Sequence, residues 1–161
     1  AKAAELGLPR GEFLLGECHE NGYGVEKDER KAVELYRKAH ESGHLDAACS
    51  LGECYAVGRG VDRDEARAAR LYREAADRDS ARGMYLLGRC FEHGAGVERD
   101  VSRARELFQK AADRGYKKAG EALEGLNTLE TLKQMERRKA PQADKKAQPP
   151  KKRSWWPFKK K

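Results

Sequence analysis

Three residue types in this chain of 161 residues could do chemistry, and two of them, cysteine and glycine, recur at a fixed spacing. Cys18, Cys54 and Cys90 stand 36 residues apart, with Cys49 nearby. Thiols can cross-link, hold a metal or attack an electrophile. No Cys-x-x-Cys is present, which argues against a structural zinc site. Equivalent points on adjacent packed helical hairpins lie roughly 10 Å apart, beyond the ~7 Å Cα limit for a disulfide. Cys49 and Cys54, on one helix, point in different directions. We therefore expect free thiols acting as small buried apolar groups, in a reducing and cytoplasmic setting. His19, His40, His44 and His93 could serve as bases or ligands, but no serine or cysteine pairs with them at a repeatable spacing. His19 occupies the slot of Tyr55 and Phe91, so a packing or surface role is expected. The glycine loops GYGVEKD, GRGVDRD and GAGVERD could cradle a phosphate, but such a loop follows a strand and is special within its chain. Here it recurs, and the aspartate ending each copy would repel an anion. No catalytic residue, metal, cofactor or small-molecule substrate is expected.

These spacings belong to an internal repeat. GECHENGYGV from Gly16, GECYAVGRGV from Gly52 and GRCFEHGAGV from Gly88 align without a gap, as do KAVELYRKA, RAARLYREA and RARELFQKA. Each copy reads as two helices. The first carries an apolar face at three-to-four spacing, such as Leu51, Cys54 and Tyr55, and stops at a glycine C-cap. A second glycine opens the turn, and a valine plugs it. Asp28, Asp64 and Asp100 then stand where a short carboxylate caps the next helix. That helix carries Ala32, Leu35, Tyr36 and Ala39 and their equivalents, whose small alanines allow close approach. One hairpin cannot bury both faces, so the expected fold is all-α: an α-solenoid of stacked helix-turn-helix repeats.

Lys2-Ala3-Ala4 is in phase with Lys110-Ala111-Ala112, so residues 1–9 are expected to end a preceding repeat whose earlier part is missing. Repeats are expected over 10–45, 46–81 and 82–117. At the other end Glu130 and Leu132 replace the two glycines, so a helix over 118–139 is expected to run on and cap the stack. Four of the five prolines fall beyond Lys139, and 140–161 is expected to be a disordered basic, aromatic tail.

Charge divides the chain at the same place. Residues 133–161 hold twelve Lys/Arg against Glu136 and Asp144, leaving the remainder mildly acidic. A basic nucleic-acid-binding body is thereby excluded. No apolar run of about 18 residues exists to span a bilayer. The tail residues Lys151, Lys152, Arg153, Trp155, Trp156, Phe158, Lys159, Lys160 and Lys161 have several open readings. They could form a solvated tail, an attachment to an anionic membrane surface, a nucleic-acid contact, or a salt-sensitive clasp on the acidic body. Adjacent tryptophans favour membrane over nucleic acid.

The pattern L-G-x-C/Y-x-x-x-G-x-G-V-x-x-D-x-x-x-A-x-x-L-Y-x-x-A, three times in phase, resembles the Sel-one-like repeat (SLR) family over residues 1–126. The resemblance implies a right-handed superhelix serving as a scaffold or adaptor for protein complexes, usually without catalysis. Departures are the three in-phase cysteines and His40 in an alanine slot. In stacked hairpins the first helices usually line the concave face. Its variable positions are the candidate contacts for a peptide or protein partner: Glu12, Phe13, Glu17 and Glu20, then Cys49, Glu53 and Ala56, then Tyr85, Arg89 and Glu92. Phe13 and Tyr85 are expected to be exposed aromatic anchors. The rival expectation is a membrane-associated regulatory protein attached through its tail.

Overall fold

The computed structural model describes residues 8–139. The expectations for residues 1–7 and for the tail, 140–161, lie outside the described residues. Seven helices, and no strand, form among the described residues: α1 Pro9–Asn21, α2 Glu29–Glu41, α3 Leu45–Val57, α4 Glu65–Asp77, α5 Ala81–His93, α6 Val101–Asp113 and α7 Lys117–Lys139. The hairpins α1–α2, α3–α4 and α5–α6 repeat one design. Compactness divides the chain into Ala1–Asn127 and Thr128–Lys161, with the boundary inside α7.

The helix ends follow the repeated residues. Gly22, Gly58 and Gly94 each close a first helix in the left-handed region, at φ 76°, 76° and 75°. Their N–H groups donate to Cys18, Cys54 and Cys90 carbonyls, satisfying acceptors the helix leaves open. Asp28, Asp64 and Asp100 cap α2, α4 and α6 by accepting from Lys31, Arg67 and Arg103 N–H at 3.0, 2.8 and 3.0 Å. Their own N–H groups donate back to the His19, Tyr55 and Phe91 carbonyls, which pins the turn to the first helix. The first helices start less uniformly. Ser80 caps α5, and His44 caps α3 through Nδ1, which accepts from Ala47 N–H at 3.2 Å. Leu8 offers α1 no side-chain cap, and Pro9 there needs none of its own.

Within a hairpin, the rings of Tyr36, Tyr72 and Phe108 lie on the bare backbone of Gly16, Gly52 and Gly88. A Cβ at Gly16 would stand 2.7 Å from Tyr36 Cε1, and one at Gly88 2.6 Å from Phe108 Cε1. Each buried ring contributes on the order of 2 kcal/mol, and the glycine is what admits it. Ala32, Ala39, Ala68, Ala75, Ala104 and Ala111 are fully buried and set the close packing of the second helices. Between hairpins the second glycine of the loop matters most. A methyl on Gly60 would overlap the Glu29 carbonyl, and one on Gly96 the Glu65 carbonyl. The loops of the second and third repeats thus press backbone on backbone against the N-terminus of the preceding second helix.

The first part of α7 extends the core through buried Ala119 and Leu126, and Arg105 donates to Asn127 Oδ1 at 2.7 Å. Beyond Asn127, α7 runs to Lys139 where the repeat would have turned. Leu129, Leu132 and Met135 are about half exposed there.

Candidate functional site: the first-helix face

The residue at one register of each first helix meets the residue that opens the next one. The Phe13 ring stacks on His44 at 4.7 Å, Cys49 is hydrogen-bonded with Ser80, and the Tyr85 ring lies 5.2 Å from Tyr116. This corrects the expectation for Phe13. It is 8% exposed and also packs 5.7 Å from the Tyr36 ring, so it is a core residue rather than an anchor. Cys49 is likewise fully buried, and Glu12 is buried with one carboxylate oxygen unpartnered. These three do not line an accessible face.

Glu20 is half-buried and accepts the Tyr36 hydroxyl at 2.5 Å as well as the Arg59 guanidinium. Burial and then the Glu20 carboxylate push the Tyr36 phenol upward. The carboxylate therefore ties a second helix and the next repeat's loop to α1. Glu17 stands on the same face, half-buried.

The remaining candidates gather on α3 and α5, which touch directly. Glu53 accepts from Arg82 Nη2 at 2.5 Å across the repeat boundary. Burial pulls the Arg82 pKa down, but Glu53, with Asp46 and Cys49 beside it, more than restores it, so the guanidinium stays charged. Tyr85 is half-buried, its ring also 5.8 Å from Phe108, and its hydroxyl accepts from Arg89 Nη1 at 3.2 Å. Arg89 reaches His93 Nε2 at 3.3 Å and Glu92 Oε2 at 3.4 Å. The result is a strip of paired charges, Glu53–Arg82 and Arg89–Glu92, flanking two aromatic rings. Ala56 is half-buried on α3.

Sequence reasoning missed Arg82, Tyr116 and Arg59. Arg82 had a signal: its register holds Asp46 and Lys118 in neighbouring repeats, a charge reversal that marks a variable surface position. Tyr116 occupies the slot where His44 and Ser80 cap their helices.

Cys49, Cys54 and Cys90 are poor nucleophiles. All four are free thiols. Burial pushes Cys54 up to about 12 and Cys49 and Cys90 up to about 11, so they stay protonated at neutral pH. Cys18 is only half-buried. Among the described residues no group of three or more His, Cys, Asp or Glu side chains is placed to hold a metal ion, and no helix is long and apolar enough to cross a membrane.

A second concave region lies at the loop edge between repeats one and two. His19, Arg37, Tyr55, Gly60 and Arg67 are among its lining residues. Arg67 donates to the Tyr55 hydroxyl at 3.2 Å and its guanidinium sits 5.0 Å over the ring. That hydrogen bond, with a further one from Arg37, lowers the phenol's pKa. In repeat three Arg103 covers Phe91 at 5.6 Å with no hydroxyl to hold. Asp28, Glu29, Asp62 and Asp64 line the same groove and balance its cations.

The hairpin stack and its noncovalent first-helix strip define the class: an all-helical repeat protein presenting variable side chains on constant backbone. The chain belongs to the Sel1-repeat family, whose description, Sel1 repeat, matches residues 9–44, 45–80 and 81–116. Among solved structures it is similar to c5321, a protective antigen present in uropathogenic Escherichia coli strains displaying an SLR fold. That match has 39% identity and TM-score 0.67, covering 70% of this chain and 24% of that one. A Sel1 repeat protein from Oxalobacter formigenes matches with 34% identity and TM-score 0.69, over 73% of this chain and 48% of its own. Helicobacter pylori cysteine rich protein B matches at 26% identity and TM-score 0.62, over 76% of this chain and 92% of its own. The chain therefore spans about a quarter and about half of the first two proteins. No curated protein matches. Sel1-repeat proteins are typically scaffolds for protein–protein interaction and generally lack catalysis.

Proposed function

We propose that this chain is a non-enzymatic adaptor that binds a protein segment through its first-helix face, centred on Glu53, Arg82, Tyr85, Arg89 and Glu92. The observation that carries this reading is the contrast between registers. Positions that build the stack repeat with little change, whereas each register of this strip changes residue type at least once among the three repeats, and the strip leaves polar groups at the surface. The Tyr85–Tyr116 pair supplies an apolar centre, and the flanking ion pairs supply charges of both signs. An extended peptide or a helix with alternating charge would exchange partners with those pairs while covering the rings.

The test is a comparison of captured proteins. Purified full-length chain and its Arg89→Ala and Arg82→Glu variants are used as bait, with folding of each confirmed by circular dichroism. A partner held by the parent and lost from both variants is the expected result. Identical capture by all three would sink the assignment of this face.

A further inference from the structure

In the groove between repeats one and two, two guanidiniums converge on one phenol. Tyr55 is only 7% exposed, yet it lines the groove. Its hydroxyl oxygen accepts from Arg67 Nη1 at 3.2 Å and also from Arg37, which reaches it from α2. An oxygen that accepts twice still has its own proton to donate, and no acceptor among the described residues takes it. Arg37 is exposed and makes no ion pair among the described residues. Arg67 Nε lies 3.5 Å from Asp64, whose other oxygen caps α4, so Nη2 is left over. The lowered phenol pKa, caused first by the Arg67 hydrogen bond, reports the same local excess of positive charge. The next junction is a built-in control. Arg73 and Arg103 hold the equivalent registers there, but Phe91 stands between them and brings no hydroxyl. Both walls of the groove, α2 on one side and α3 with α4 on the other, belong to described repeats packed on described neighbours.

We infer that this cluster is a second recognition site, which takes the carboxylate of an acidic side chain carried on a peptide segment. The carboxylate accepts from the Tyr55 hydroxyl and from the remaining N–H groups of Arg37 and Arg67. Guanidinium forks match a planar carboxylate, and such charge-assisted bonds are about twice as strong as neutral ones. Two observations favour a peptide over a free anion. The groove encloses about 1500 Å³, more than the roughly 300–1,000 Å³ of ordinary small-ligand sites, and has room for several extended residues. Its lining also carries Glu26 and Asp62, which are exposed and form no ion pair among the described residues. These carboxylates repel a free multivalent anion and attract basic residues on either side of the acidic one. The site lies on the loop edge, apart from the first-helix strip, and does not rest on that reading.

The experiment uses the full chain, labelled with nitrogen-15, and three probes: the end-blocked peptide Lys-Gly-Glu-Gly-Lys, its counterpart with Gln for Glu, and inorganic phosphate. The Glu peptide is expected to shift the Arg37 and Arg67 side-chain signals and the Tyr55 amide, saturably and in the millimolar range. The Gln peptide should bind about tenfold more weakly, because it lacks the charge. Tyr55→Phe copies the side chain found at Phe91 and so keeps the packing; it should weaken the Glu peptide about fivefold. Arg37→Gln, at an exposed position, should remove the shifts. Arg89→Ala should leave them unchanged, which separates this site from the first-helix strip. Absence of saturable shifts at millimolar Glu peptide would overturn the proposal, as would equal binding of the two peptides or shifts confined to Tyr85 and Arg89. Phosphate binding as tight as the Glu peptide would assign the cluster to free anions and overturn the peptide reading.

Discussion

Loops one and two have the same backbone angles and do different work. Gly58 and Gly60 stand between two repeats, and the second of them bears directly on α2. Gly22 and Gly24 shape an identical turn with no described repeat behind it. The difference shows that one residue type serves two physical purposes. At the first glycine of each loop, left-handed backbone is the requirement. At the second, left-handed backbone and the absence of a Cβ are both required, but only where another repeat presses on it.

The largest expected effect breaks that comparison directly. Gly60→Ala meets both the left-handed penalty and a backbone overlap, and should cost about 3 kcal/mol or more in urea denaturation. Gly24→Ala meets the first term alone and should cost about 1 kcal/mol. Equal losses would refute the division of labour. Next in size is Tyr36→Phe, which leaves Glu20 with Arg59 as its remaining partner and should cost about 1–2 kcal/mol.

Alkaline pH tests the burial of Cys49, Cys54 and Cys90. Their folded pKa values lie above the ordinary 9.0, so the unfolded chain loses these protons first. Stability from this source is complete below pH 9 and falls as pH rises through 9 to 12. The expected loss is about 1 kcal/mol per buried thiol at pH 10. Cys54→Ala should make that slope shallower, and a thiol reagent at pH 8 should modify Cys18 well before the other three. The smallest effect concerns Asp79, whose pKa the Arg114 guanidinium lowers by a hydrogen bond at the surface. Asp79→Asn should leave the denaturation midpoint unchanged within error at pH 7, because solvent screens such a pair.

The fold was legible because backbone constraints leave narrow choices of residue. A left-handed cap asks for glycine, a free helix N-terminus for aspartate, and close helix approach for alanine, so three in-phase copies spell the hairpin. The candidate site was less legible because partnership is decided across repeats. Glu20 reads as a surface carboxylate, and only the folded chain brings Tyr36 and Arg59 to it. Phe13 reads as an anchor because it varies, yet its register also holds Cys49, a residue type that is usually buried. That neighbour was a sequence-level sign that the register points inward. Tyr85 shares it and is half-buried for the same reason.

The fully buried alanines of the second helices have an evolutionary consequence. Ala32, Ala68 and Ala104, like Ala39, Ala75 and Ala111, present the same minimal contour at successive junctions. At these six positions no bulky residue marks one boundary as different from the next. A stretch of DNA encoding one whole period could therefore be duplicated or deleted in frame, and the neighbours would meet without recarving their surfaces. The gene can change the reach of its product by recombination, while point mutation tunes the strip that each added unit displays.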